Sequence, residues 1–333
     1  MTNHDPFTGR PVAEDAAAVL EGFRASGGRS FHTYTVSEVR DLYERSCAAN
    51  GLIGDPLSAV SDFNVDDFGV RVYDPQVSRG PTPVVLFLHG GGWVMGSLST
   101  HDGLCRRLAA LTGLPVVAVD YRLAPEHPYP AAIEDSRAAL HWLFSAREVH
   151  GLDISNAVLV GDSAGGQMAA VLAIENATNN SPVHVSAQVL IYPMVDLTMS
   201  TRSYARVGEG FPLVADTVAW FADTYLPEGT DRTLPDVSPA LAQLPAGLPP
   251  AFVITVDNDP LADEGANFAA AMARAGTEVH YQHLPGYAHG LLTSAGRVQR
   301  GEQKVDEIAA FIRRRALVKV TGGASGFETV CRF

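Results

Sequence analysis

The chain has 333 residues, of which 46% are hydrophobic and 18% charged, so it can bury a large core and is not disordered as a whole. Its 37 acidic and 24 basic side chains give a formal net charge of −13. This balance argues against a nucleic-acid partner, because a phosphate backbone selects for a basic surface.

The three cysteines, Cys47, Cys105 and Cys331, are widely spaced along the chain. They predict neither a disulfide framework nor a zinc site, and a reducing compartment fits them best. The first residues lack a basic start and an apolar stretch, and the aliphatic runs are too short to span a bilayer. We therefore expect a cytoplasmic protein with no membrane partner.

The first 55 residues predict two helices, Glu14–Phe23 and Ser37–Ala49, and no strand. Hydrophobic and polar residues then alternate from Phe68 to Asp74. This alternation is typical of a half-buried strand, which Pro75 would end.

From residue 84 onward, short apolar runs alternate with helical periods. Strands that are apolar on both faces and separated by helices predict a mostly parallel sheet with helices on both faces. The sequence therefore predicts a three-layer α/β core over residues 60–316. The apolar runs are Val84–Leu88, Val116–Val119, Val158–Val160, Val185–Ile191, Phe252–Val256 and Val279–Leu284. The helical periods fall near residues 104–113, 133–144, 164–177, 266–275 and 305–312.

Residues 197–250 break this alternation, because they are rich in aromatic residues and prolines. We interpret them as an insertion folded over one end of the sheet. Residues 317–333 contain two glycine-rich turns and are expected to form a flexible tail.

The most informative motif is Gly161-Asp-Ser-Ala-Gly-Gly166, directly after the Val158–Val160 strand and at the start of a helix. A serine on such a sharp turn exposes its hydroxyl. Glycines two positions before and after it are needed because side chains there would collide with the crossing strand and helix. The motif also occurs in ordinary glycine-rich turns, but this context favours Ser163 as a nucleophile.

A second glycine-rich motif, His89-Gly-Gly-Gly-Trp93, follows the Val84–Leu88 strand. It lacks the patterns of P-loops and dinucleotide sites. Attack by a serine on an acyl carbon creates an oxyanion that needs preorganised N–H donors. With Ser163 downstream, the motif predicts an oxyanion hole.

A base and an orienting acid should follow the nucleophile. His289 and Asp259 each lie just after a predicted strand, so they belong to the same sheet edge as Ser163. The order Ser, Asp, His is that of α/β hydrolases. Asp257 and Asp263 compete with Asp259, but Asp257 belongs to the strand and Asp263 to the following helix.

The remaining candidates carry less weight. Asp162 is expected to anchor the turn through hydrogen bonds rather than to act as an acid or base. His280 and His283, with His289, match no common zinc spacing and lie near no cysteine, so we expect no metal. A pair of carboxylates of the glycosidase kind stays open, although nothing in the sequence singles one out.

Four motifs together resemble the bacterial hormone-sensitive-lipase-like (family IV) carboxylesterases of the α/β-hydrolase superfamily. They are His89-Gly-Gly-Gly-Trp93, the segment Tyr121–Asp135, Gly161-Asp-Ser-Ala-Gly-Gly166 and Asp259-Pro-Leu-Ala-Asp-Glu264. The similarity covers about residues 60–315. It implies an α/β-hydrolase fold, a triad of Ser163, Asp259 and His289, and no cofactor.

The resemblance also implies an oxyanion hole formed by the amides of Gly91, Gly92 and Ala164. It implies a helical cap built from residues 1–55 and an insertion near 197–230, over a catalytic domain spanning residues 56–316. The sequence departs from the family at Ala262 and Leu291, and Leu291 is expected to alter the substrate pocket rather than the chemistry. As residues that line this pocket we predict Trp93, Tyr192, Phe211 and Leu291.

The sequence therefore predicts a serine carboxylesterase for short- to medium-chain acyl esters, with an ester and water as its partners and a homodimer as one option. The same triad could act on a lactone, a carbamate, an aryl amide or an acetylated natural product, since fold and machinery do not specify substrate. A non-catalytic small-molecule receptor is a further alternative. Plant receptors that resemble this family lack the catalytic histidine, whereas His289 is present here.

Overall fold

The computed structural model describes residues 10–76, 81–150, 154–178 and 184–316. The predicted tail, residues 317–333, lies outside this part of the chain. The strands are β1 (Ala59–Val65), β2 (Phe68–Asp74), β3 (Thr82–Leu88), β4 (Val116–Asp120), β5 (Ile154–Asp162), β6 (Val185–Ile191), β7 (Ala251–Asn258) and β8 (Val279–Ala288). The α-helices are α1 (Glu14–Ala25), α2 (Val36–Asn50), α3 (Asp102–Thr112), α4 (Ala131–His150), α5 (Ala164–Thr178), α6 (Ser203–Arg206), α7 (Ala215–Tyr225), α8 (Ala262–Arg274) and α9 (Gln299–Ala316).

The eight strands form one sheet in the order β1-β2-β4-β3-β5-β6-β7-β8. Strands β3 to β8 pair in parallel, whereas β1 and β2 pair with each other, and β2 with β4, in antiparallel fashion. The mostly parallel sheet that the apolar runs predicted is therefore confirmed. Because β3, β5, β6, β7 and β8 run in the same direction, the segments that follow them meet at one edge.

The first strand was not predicted from the sequence. Residues Ala59–Val65 pair with β2, from Ala59 opposite Asp74 to Val65 opposite Phe68. Only Val65 is buried among the seven residues, so the strand lacks the hydrophobic signal on which the prediction relied. Its position at the edge of the sheet explains this exposure.

Helices cover both faces of the sheet. On one face, α4, α5 and α8 pack against a cluster that includes Leu86, Leu159 and Phe268. On the other, α3 and α9 pack against a cluster that includes Val158 and Phe311. The central strands β3, β5, β6 and β7 are almost entirely buried because a helical layer covers each of their faces.

A third and smaller cluster joins the N-terminal segment to the insertion between β6 and β7. Leu20 of α1 packs there with Val207, Phe211 and Val214 of the insertion, beside Ala288 at the end of β8. The two segments that were predicted to form a cap thus contact each other beside the last strand. The domain boundaries themselves, with the insertion at 197–230, stay a prediction.

Within the described ranges, every helix is too short or too polar to serve as a membrane span.

Candidate active site

Ser163 lies between the end of β5 and the start of α5. Its φ of 55° places a non-glycine residue in the left-handed region, which persists only where the surroundings hold it. Its amide donates to the Ile191 carbonyl at 2.9 Å, and its own carbonyl accepts the amides of Gln167 and Met194 at 3.1 Å each. These three backbone hydrogen bonds hold the turn against its strain.

The glycines that flank this turn are required by close approach. A Cβ on Gly161 would lie 2.2 Å from the carbonyl oxygen of Gly165, and one on Gly165 would lie 1.9 Å from the carbonyl oxygen of Leu88. No side chain fits at such distances. The crossing of strand and helix that was expected from the motif is therefore confirmed.

Ser163, His289 and Asp259 form one hydrogen-bonded chain. His289 follows β8, and its Nε2 lies 2.9 Å from Ser163 Oγ. Its Nδ1 lies 2.8 Å from Oδ2 of Asp259, which follows β7. The three side chains come from segments up to 126 residues apart and meet because their strands end at the same sheet edge.

Asp259, the carboxylate of this hydrogen-bonded triad, is deeply buried. Asp259 has no exposed surface, and its Oδ1 accepts the amide of Leu261 at 2.9 Å. Because both carboxylate oxygens accept hydrogen bonds, the carboxylate is fixed in the orientation that faces His289. An imidazole held in this way can take a proton from a hydroxyl at Nε2 while Nδ1 donates to the carboxylate.

Tyr192, which the sequence predicted as a pocket residue, packs behind the imidazole. Its ring centroid lies 4.5 Å from that of His289, and its hydroxyl accepts the amide of Leu292 at 3.3 Å. Its φ of 36° is also left-handed, directly after β6. Tyr192 therefore supports the imidazole and the loop that carries it, and its part in binding substrate stays a prediction.

The two competing carboxylates face elsewhere. Asp257 lies 3.0 Å from His283 Nε2 and accepts a hydrogen bond from the Arg10 side chain at 2.9 Å. Asp263, in the first turn of α8, accepts the amide of Ser203 at 2.9 Å. Of the three aspartates considered, the structure brings Asp259 alone to His289.

The glycine-rich loop after β3 lies against the Ser163 turn. The amide of Gly90 donates to Asp162 Oδ1 at 2.8 Å, so the residue before the serine holds the loop. The predicted role of Asp162 as an anchor is confirmed. Gly91 and Gly92 have φ values of 128° and 60°, which favour glycine.

A buried pair of side chains beneath this loop was missed by the sequence reasoning. His101 Nε2 lies 3.1 Å from Asp162 Oδ1, and the two side chains are 1% and 3% exposed. Burial alone would raise the pKa of Asp162, but His101 and the Gly90 amide together hold it below its ordinary value. The only signal was a histidine just before a helix, which is too common to single out.

His89 lies in the same buried cluster and stacks on Tyr121, with ring centroids 4.2 Å apart. The Tyr121 hydroxyl donates to the His89 carbonyl at 2.8 Å. Burial, with repulsion from His101, lowers the pKa of His89 to about 4. His89 is therefore neutral at physiological pH and stabilises the start of the loop by packing.

A cavity of about 600 Å³ opens beside His289. Its walls come from α1, α2, the connection between them, Pro212 of the insertion, and the end of β8 with the residues that follow it, among them Leu291. The other two predicted pocket residues lie elsewhere: Trp93 is buried and stacks on Tyr225 at 4.4 Å, and Phe211 is buried in the third cluster. The substrate contacts of all four residues stay a prediction.

The histidines that raised the question of a metal have other partners. His283 bonds to Thr255 and Asp257, and His280 bonds to Gln282. Within the described ranges, no three His, Cys, Asp or Glu side chains are grouped as metal ligands.

A sequence model of the α/β-hydrolase fold matches residues 85–293. The chain belongs to the α/β-hydrolase family. An ethyl acetate hydrolase of Pseudomonas putida is 34% identical to this α/β hydrolase over 305 residues, covering 87% of this chain and 94% of the relative. Carboxylesterase NlhH of Mycobacterium tuberculosis is 41% identical over 233 residues, covering 69% of this chain and 72% of the relative.

Solved structures agree with this assignment. The esterase of Pyrobaculum calidifontis superposes on this α/β hydrolase with a TM-score of 0.83 at 37% identity, covering 92% of this chain and all of the other. The resemblance to hormone-sensitive-lipase-like carboxylesterases that the four motifs predicted is confirmed.

Proposed function

We propose that this α/β hydrolase is a serine carboxylesterase with Ser163 as nucleophile, His289 as general base and acid, and Asp259 as the orienting carboxylate. The chain is a carboxylic ester hydrolase by its family and by the activities for which its relatives are named. The observation that carries the residue roles is the hydrogen-bonded chain from Ser163 Oγ through both His289 nitrogens to Asp259 Oδ2.

The reaction proceeds in two halves. In the first half, Ser163 Oγ bonds to the ester carbonyl carbon and its proton moves to His289 Nε2. The carbon–oxygen bond to the alcohol then breaks, and His289 gives the proton to the leaving oxygen. In the second, His289 takes a proton from water, the hydroxide bonds to the acyl carbon, and the bond to Ser163 breaks as the proton returns to Oγ. Asp259 keeps its negative charge throughout and stabilises the imidazolium.

The negative charge on the tetrahedral carbonyl oxygen needs donors, and we assign these to the amides of Gly91, Gly92 and Ala164. Two observations support this assignment. The Asp162–Gly90 hydrogen bond holds the loop beside the Ser163 turn, and Ala164 begins α5, whose N-terminus favours negative charge. One such donor contributes about 3 to 4 kcal/mol of transition-state stabilisation.

The substrates are short- to medium-chain acyl esters. The cavity beside His289 is mainly apolar, as are most pockets that bind small organic molecules. The relative in Pseudomonas putida is named for an ester of this size. A series of p-nitrophenyl esters, compared with a lactone, a carbamate and an aryl amide, measures how far the preference extends.

Replacement of the nucleophile tests the proposal. Ser163→Ala should abolish hydrolysis of p-nitrophenyl butyrate while the protein stays folded, and an organophosphate should label Ser163 in the unchanged protein. Ser136→Ala is the matched control, because Ser136 is also buried but lies on α4 and donates to the Ala132 carbonyl. Full activity in Ser163→Ala would contradict the nucleophile, and an unlabelled Ser163 would favour a non-catalytic receptor.

The cytoplasmic location and the homodimer stay predictions from the sequence.

A further inference from the structure

The cavity beside His289 has an unusual charge for this protein. The chain has 37 acidic residues against 24 basic ones. Yet among the described residues that line the cavity there is no aspartate, glutamate or lysine. The lining residues that carry or can take a positive charge are Arg29, Arg297 and His289. The rest of the wall is mostly apolar, with residues such as Val19 and Phe31.

Both arginines are held by backbone carbonyls rather than by acids. Arg29 Nη2 donates to the Thr33 carbonyl at 2.8 Å, and its guanidinium lies 4.2 Å from the centroid of the Tyr34 ring. Arg297 Nε donates to the Ala49 carbonyl at 3.2 Å. Each guanidinium has five N–H donors and no acceptor, so most donors on both stay available.

No carboxylate of the described residues forms a salt bridge with either guanidinium. Hydrogen bonds from the Thr35 amide and hydroxyl, with a smaller contribution from Arg29, lower the pKa of Glu38, but that carboxylate is held by Thr35 at the start of α2. Neither guanidinium is therefore hydrogen-bonded to a carboxylate among the described residues, and forks of this kind bind planar carboxylates through two parallel hydrogen bonds.

The position of the cavity indicates which half of the ester enters it. Its lining includes His289 but not Ser163. In the proposed mechanism the imidazole returns its proton to the leaving oxygen, so the leaving alcohol must lie on the imidazole side of the acyl carbon. The cavity is therefore next to the alcohol portion of the ester.

We propose that this cavity receives the alcohol portion of the ester and that Arg29 and Arg297 bind a carboxylate carried by that alcohol. The substrate class is thus an acyl ester of a hydroxy acid. This inference rests on the proposed esterase function and adds a charge preference to it. Apolar walls hold the carbon chain between the leaving oxygen and the carboxylate, as in other mostly hydrophobic pockets with a few placed polar groups.

Two matched esters test the inference: 3-(4-acetoxyphenyl)propanoate, which is anionic, and the neutral 3-(4-acetoxyphenyl)propanamide. Their phenol oxygens are insulated from the end group, so their intrinsic reactivities are alike. The unchanged protein should hydrolyse the anion with a kcat/KM about threefold to tenfold higher, the range that one or two exposed ion pairs supply. About 0.5 M NaCl should reduce that ratio, because salt screens exposed charges.

The ratio should fall to about one in R29Q/R297Q and be partly retained in R29K/R297K, which keeps the charge but loses the planar fork. R313Q/R314Q is the matched control: it removes the same charge from the exposed last turn of α9, outside the cavity lining, and should keep the ratio of the unchanged protein. Thermal unfolding of each variant establishes that it is folded.

Several results would overturn the inference. Equal hydrolysis of both esters by the unchanged protein would contradict it while leaving the esterase function intact. A preference that survives R29Q/R297Q, or that R313Q/R314Q also removes, would contradict the role of the two arginines. If the anionic ester were preferred over the neutral one only when the carboxylate is on the acyl portion, the assignment of the cavity to the alcohol portion would be wrong. Failure to hydrolyse either ester, with Ser163 unlabelled by an organophosphate, would instead contradict the proposed function itself.

Discussion

The sheet edge that carries Ser163 and the N-terminal segment that walls the cavity are held in different ways. Helix α5, which starts at the Ser163 turn, buries ten consecutive residues from Ala164 to Ala173. Helix α1 buries only Leu20, and α2 buries only Val39 and Cys47. Helix α5 is thus part of the core, whereas α1 and α2 contact the rest of the molecule along narrow stripes.

Polar contacts tie the N-terminal segment to the catalytic side. The amide of Ala13 donates to the Gly286 carbonyl at 2.9 Å, and Asp15 accepts the Tyr287 hydroxyl at 2.9 Å. These attachments are near the surface, so the segment should open at a lower free energy than the sheet. The reacting groups are therefore fixed by the core, whereas the wall of the cavity is expected to open more readily than the sheet.

The largest effect on kcat among the following tests is expected from replacing the buried carboxylate of Asp259. Asp259→Asn should lower kcat for p-nitrophenyl butyrate about 10⁴-fold, because an amide disfavours the imidazole tautomer that accepts the serine proton. Steady-state kinetics measure this loss. Asp257→Asn is the control, since that carboxylate faces His283 and Arg10 rather than His289. An equal loss in Asp257→Asn would contradict the assignment of the acid.

A second test measures how the free energy of unfolding depends on pH through His89, which is buried beneath the glycine-rich loop. Burial holds the pKa of His89 at about 4 in the folded protein, against about 6.5 in an unfolded chain. Between these values the unfolded chain binds a proton that the folded protein does not, so acidification destabilises the fold. The free energy of unfolding should fall by about 3 kcal/mol from pH 6.5 to pH 4 through this group.

Urea unfolding across this pH range measures the decline. His89→Gln, which does not titrate, should show a smaller decline, whereas His141→Gln, on the exposed side of α4, should keep that of the unchanged protein. The same decline in all three proteins would show that the His89 environment does not disfavour the charged imidazole.

The anchor of the glycine-rich loop should have an intermediate effect. Asp162→Asn keeps an oxygen for the Gly90 amide but removes the charge that faces His101, so the loop loses part of its support. We expect kcat to fall about 10- to 100-fold, with a smaller change in KM, as for the loss of part of an oxyanion hole.

Asp135→Asn is matched to it, because Asp135 is equally buried and also accepts a backbone amide, from Arg122. It should lower stability without lowering kcat per folded molecule. If Asp135→Asn lowered kcat as much as Asp162→Asn does, the effect of Asp162→Asn would reflect general damage to the fold.

The smallest effect should come from the N-terminal segment. Leu20→Ala should lower the free energy of unfolding by about 2 kcal/mol, since its cluster is small and near the surface. Leu159→Ala, in the middle of β5, should cost about 4 kcal/mol because its site is fully buried. Equal costs in urea unfolding would contradict the proposed difference between the two regions.

The parts of the fold that could be predicted from sequence are those with a local signal. The signals that predict β3 to β8 and the strained turn at Ser163 come from residues that are adjacent in the sequence. The order of the motifs along the chain then identified Asp259 and His289. Strand β1 could not be predicted, because an exposed edge strand has no hydrophobic pattern. Helix α8 begins at Ala262, earlier than the predicted 266, because its first turn is polar.

Contacts between distant segments account for what else was missed. The pairing of His101 with Asp162 joins residues 61 positions apart, and neither has a neighbour that signals the other. Likewise, the cavity wall joins Arg29 to Arg297 across most of the chain. Such juxtapositions depend on tertiary contacts, such as that of the Ala13 amide with the Gly286 carbonyl, which place α1 and α2 beside the residues that follow β8.

The spacing of Ser163 and His289 also has a consequence for synthesis. The two residues are 126 positions apart, so at translation speeds of about 5 to 20 residues per second the serine leaves the ribosome on the order of ten seconds before the histidine. Strands β6 to β8 must be added in that interval. A nascent chain therefore hydrolyses no ester until His289 has emerged and β8 has docked, and the release of a fluorescent alcohol during translation reports the moment at which that part of the sheet forms.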